Sequence, residues 1–209
     1  MYSEKFEVSK SSYEFLWYSC FRRPYDCKNK ELICADRAYL DLCRTIRFKS
    51  KDETEHRAFR NKTNKLIVGL VGDLLNQKEF DENLYTWYEE ACEKIIYEAS
   101  EVCKEFYFGH AQKWLNMTVK YMLVMGIHKE EFDVIKPYLH IPVDNYIIKA
   151  AREKFGIKIS SEVWSKWEGP EYREFQRQLR AKTEGSAVDW EASAWIEIAD
   201  KENKKSVGC

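Results

Sequence analysis

Long apolar runs are missing from this chain. Nowhere do 18 apolar residues follow one another, so a membrane-spanning helix is not expected. Met1-Tyr2-Ser3-Glu4-Lys5 lacks the basic-then-apolar plan of a secretory leader, which makes the cytoplasm the expected location. An excess of one charge is also missing: 34 Lys and Arg against 35 Asp and Glu leave a formal −1, which excludes a surface coated in positive potential. Seven cysteines, at 20, 27, 34, 43, 92, 103 and 209, form no Cys-x-x-Cys pair and fall mostly among apolar residues. That pattern reads as reduced, packed thiols, with no metal or other cofactor expected. Repeats, low-complexity tracts and linkers are absent too, which leaves a single domain over residues 1–200 and a polar tail over 201–209.

What is present is enough apolar material for a core, at 44% hydrophobic and 15% aromatic residues, arranged with helical periodicity. Lys5 to Val8 alternates like a short strand, but one strand makes no sheet. Ser12 is expected to cap a first helix that stops near Arg23, because Pro24 follows. A second helix is expected from Lys30 to Arg47 and a third within Asp52 to Asn76, where Gly69 and Gly72 suggest close helix packing. Asp81 reads as the cap of the next. Later helices are expected from Lys129 to Lys136, after Gly169-Pro170, and around Trp190 and Trp195, with a frayed tail from Lys201. The fold class is all-α, read as two helical lobes with a cleft between them.

The most patterned stretch is Phe108-Gly109-His110-Ala111-Gln112-Lys113-Trp114, followed later by Ile141-Pro142-Val143-Asp144. Gly109 suits a tight hairpin entering a helix, and Lys113 then falls early in that helix. Pro142 bars helix before it, and Asp144 is a good N-cap for Asn145 onward. This arrangement resembles the helix-hairpin-helix DNA glycosylase superfamily, in which a glycine hairpin precedes a lysine-bearing helix and a Pro-hydrophobic-Asp segment supplies an aspartate. The spacing from Lys113 to Asp144 is similar to that of its archaeal-type 8-oxoguanine glycosylase branch. Where the superfamily often has two or three hairpin glycines, this chain has Gly109 alone.

The resemblance implies a glycosylase and lyase that excises an oxidised purine such as 8-oxoguanine from double-stranded DNA. Lys113 is then the Schiff-base nucleophile and Asp144 the carboxylate that activates it and steadies charge on the sugar. Gly109 and His110 of the hairpin, with Arg57 and Arg60 of a basic run, are the expected DNA contacts. The competing reading is a non-catalytic helical module that binds a nucleotide or nucleic acid. Oligomeric state is not legible from the residues.

Overall fold

Ser9, not Ser12, starts the first helix: its side chain accepts the Ser12 amide at 3.2 Å, and α1 runs over Lys10–Phe21. It ends where Arg22 takes a left-handed φ of 55°, just before Pro24 as expected. The computed structural model describes residues 9–77, 84–159 and 161–207. The expected strand Lys5 to Val8 and the Asp81 cap lie outside them.

The second helix, α2 (Lys30–Leu40), is shorter than expected. The chain leaves it through a 3₁₀ turn at Cys43–Thr45 and enters β1 (Arg47–Phe48), which pairs antiparallel with β2 (Cys103–Glu105). Lys49 N–H extends this ladder to Val102 O at 2.9 Å. Leu42 and Ile46 are still buried although no longer in the α-helix, so the apolar spacing located the core and overran the helix end.

Asp52 caps α3 (Glu53–Leu75) by accepting the Thr54 amide. Then come α4 (Tyr85–Ser100), α5 (Phe108–Val124), α6 (Lys129–Ile135), α7 (Asn145–Phe155), α8 (Gly169–Arg180) and α9 (Ala187–Val207). The protein is thus mostly helical, and β1 and β2 form the only sheet among the described residues. No helix among these residues is long and apolar enough to cross a membrane. Two expectations are corrected. A Cβ on Gly69 or Gly72 would meet nothing within 4 Å, so these glycines mark no close packing, and α9 continues past Lys201.

Helix α5 is the centre of the fold. Every residue from Phe108 to Val119 is buried, and α2, α3, α4 and α8 all pack on it. Most of the polar side chains in this buried stretch hydrogen-bond inside the protein. Trp114 Nε1 donates to Ala35 O at 3.0 Å, tying α5 to α2. Gln112 holds both backbone groups of Val143: its Nε2 donates to Val143 O and its Oε1 accepts Val143 N–H, each at 3.1 Å. Asn116 Nδ2 donates to Ile141 O at 3.0 Å. Leu139, Ile141 and Val143 are buried in the core. The extended segment is thereby pinned along α5, and the residue after it, Asp144, is set against the side chain one position beyond Gln112.

Candidate functional site

Lys113 is that side chain. Its Nζ lies 2.7 Å from Asp144 Oδ2, so the structure brings together the two residues singled out from the sequence. Lys113 is 4% exposed. Asp144 caps α7 as expected, its Oδ1 accepting the Ile147 amide at 3.0 Å, and its Oδ2 also accepts the Trp195 indole N–H from α9 at 3.1 Å. Burial pushes the Asp144 carboxyl up, but the Lys113 charge and hydrogen bond, the Ile147 amide and the Trp195 indole outweigh it, leaving the group below its ordinary pKa.

Both side chains line a cavity of about 600 Å³, with Met117, Tyr146, Trp164 and Trp195 among its walls. Seven residues along α5, and so on the same face as Lys113, Lys120 also reaches the cavity. It pairs with Glu191 of α9 at 2.7 Å. Glu191 is 1% exposed, and burial raises its carboxyl above the ordinary value despite the opposing charges of Lys120 and Lys113. Arg37 and Asp41, which also line the cavity, pair at 2.6 Å, and Tyr121 Oη donates to Asp41. Arg44 lines the cavity as well.

The expected DNA contacts fare differently. Gly109 forms no hairpin: it lies inside the first turn of α5, which the chain enters from β2. Its amide donates to Trp167 O at 2.9 Å, and a Cβ there would stand 1.9 Å from Trp164 O. The glycine is needed for the close approach of the 3₁₀ turn Trp164–Lys166, not for a positive φ, and its amide is not free to hold a phosphate. His110 is buried as well. Its Nδ1 accepts the Tyr107 amide at 3.0 Å, capping α5, and burial lowers its pKa to about 4. Arg60 is engaged by Asp36 at 2.6 Å and lies over the Tyr39 ring, bracing α3 on α2. Arg57 is exposed but does not line the cavity.

Glu191 and Arg44 belong to the site and escaped the sequence reading, and Trp195 was not told apart there from the other tryptophans. For Glu191 a signal existed: Ala187, Ala194 and Ile198 are buried at helical spacing, and Glu191 is the one acid on that apolar stripe. Comparisons with protein-family models, curated proteins and solved structures gave no match to this chain.

Proposed function

We propose that the chain is a DNA repair glycosylase with abasic-site lyase activity, acting on an oxidised purine such as 8-oxoguanine flipped out of a duplex. The observation that carries this reading is the ion pair at 2.7 Å between a buried lysine and a helix-capping aspartate in an aromatic-walled cavity. As the base leaves, the C1′–N bond breaks and a bond from Lys113 Nζ to C1′ forms. The proton that Lys113 sheds to become a nucleophile passes by way of Asp144 to the departing base. The Asp144 carboxylate, ionised throughout the neutral range, offsets the positive charge that builds on the sugar. Opening of the sugar ring then leaves a Schiff base on Lys113, from which the adjoining strand is eliminated.

A Schiff base is reducible, whereas a nucleotide held by stacking is not. A duplex carrying 8-oxoguanine, incubated with the protein and borohydride, should give a covalent adduct mapping to Lys113, and Lys113→Gln should give none. The second reading is a non-catalytic nucleic-acid-binding module, in which Lys113, 4% exposed, stays in the Asp144 ion pair and meets no substrate carbon. Binding of damaged duplex with no wild-type adduct, across a panel of oxidised and deaminated bases, would decide for that module.

A further inference from the structure

A second compartment adjoins the Lys113 cavity. Asn145 and Trp164 line both, and the second, of about 690 Å³, extends over Ile148, Arg152 and Val163. Each volume lies within the roughly 300–1,000 Å³ of small-ligand pockets. Two consecutive residues straddle the divide: Arg44 lines the first compartment and Thr45 the second.

The charges of the two compartments are not alike in how they are used. Arg37 is paired with Asp41, Lys113 with Asp144 and Lys120 with Glu191. In the second compartment Arg152 is paired with Glu162 at 2.7 Å and Lys149 with Glu202. Arg44 is exposed, and its guanidinium has no acidic or hydrogen-bonding partner among the described residues. It is the lining cation left over, and it stands at the junction.

We infer that the cleft holds two linked nucleotide units of one strand, the reacting unit against Lys113 and its neighbour against Ile148 and Val163, with Arg44 on the phosphate that joins them. This rests on the function proposed above and goes further: the neighbouring unit has a compartment of its own, and a cation outside the catalytic pair holds the phosphate that links it. A phosphate bridging two occupied compartments must cross the wall they share. An arginine there meets it with the planar fork that suits phosphate oxygens. Val163, 51% exposed, leaves an apolar surface on which the neighbouring base can lie.

The test compares a one-unit probe, 8-oxo-2′-deoxyguanosine, with a short oligonucleotide duplex carrying the same base internally, following binding by tryptophan fluorescence. Arg44→Gln should weaken the oligonucleotide about 5- to 10-fold and lower the slope of log affinity against log salt by about 0.9, one phosphate contact, while leaving the nucleoside unchanged. Val163→Glu, at an exposed position, should weaken the oligonucleotide selectively by repelling its backbone. Equal oligonucleotide affinity and salt slope in wild type and Arg44→Gln would overturn this inference alone. Equal weakening of both probes would place Arg44 on the reacting unit and overturn it too. If wild type binds neither probe, the proposed function itself fails.

Discussion

The indole Nε1 of Trp195 donates to Asp144 Oδ2 at 3.1 Å, the same oxygen that accepts from Lys113 Nζ. One carboxylate oxygen thus takes two donors from helices far apart in the chain. Trp195→Phe removes the indole donor and keeps an aromatic wall. The Asp144 pKa should rise, because one of the groups holding it down is gone. The acid limb of adduct formation against pH should therefore move to higher pH, with a stability loss of about 1 kcal/mol. An unmoved acid limb would show that the indole does not act on the carboxylate.

Lys113→Gln and Asp144→Asn each leave a charge behind in a nearly closed place. Asn caps about as well as Asp, so the helix start survives in Asp144→Asn, yet the variant should lose about 3 kcal/mol because the Lys113 ammonium is stranded. Lys113→Gln should also cost more than a surface change. The double variant should be more stable than the sum of the two losses predicts, read by urea denaturation. The sign with pH follows from the lowered Asp144 pKa. The pair's contribution is complete above the unfolded carboxyl value and is lost as pH falls through the lower folded one. Lys113→Gln should flatten stability in that acid window.

His110 titrates in the opposite chemical sense but loses stability in the same direction. Its folded pKa is lowered to about 4, so the unfolded chain binds the extra proton between that value and the ordinary histidine range. Stability is full above that range and declines as pH falls toward 4. Between pH 7 and pH 5 this amounts to about 2 kcal/mol for the one group. His110→Gln, which keeps a side-chain acceptor, should show a shallower decline of the urea midpoint over that interval. Parallel declines in the two proteins would remove His110 as its source.

Alanine should separate the glycines. At Gly109 its Cβ would overlap Trp164 O, and Gly109→Ala should lose about 2 to 4 kcal/mol in spite of better helix propensity. At Gly69 and Gly72 the space is open and the helix continuous, so alanine should stabilise by about 0.5 to 1 kcal/mol each. Thermal unfolding of the three variants gives the order directly.

These glycines also mark what a sequence can and cannot convey. A glycine is tolerated for a backbone angle or for a missing Cβ, and the letter is the same. Gly109 serves the second purpose and Gly156, at φ 66° after α7, the first. Lys113 and Asp144 were legible because each belongs to a local pattern, an early helical lysine and a cap after a proline. Arg60 was not, since its partner Asp36 sits on another helix and a basic run says nothing of who faces it. The end of α2 was misplaced because Leu42 and Ile46 are buried whether the chain there is helix or turn. Gln112 and Asn116 hold the Asp144 segment in place, but nothing local to either residue names a partner about 25 to 31 positions on.

Helix α9 carries both Trp195 and Glu191, and 71 residues separate Lys120 from its Glu191 partner. At about 5–20 residues per second, a ribosome needs roughly 4 to 14 s to make that interval. Throughout it the amines of α5 exist without the acid and the indole that complete their surroundings. A nascent chain therefore carries an unfinished centre, and its chemistry is timed by synthesis, with α9 delivered as the part that completes it.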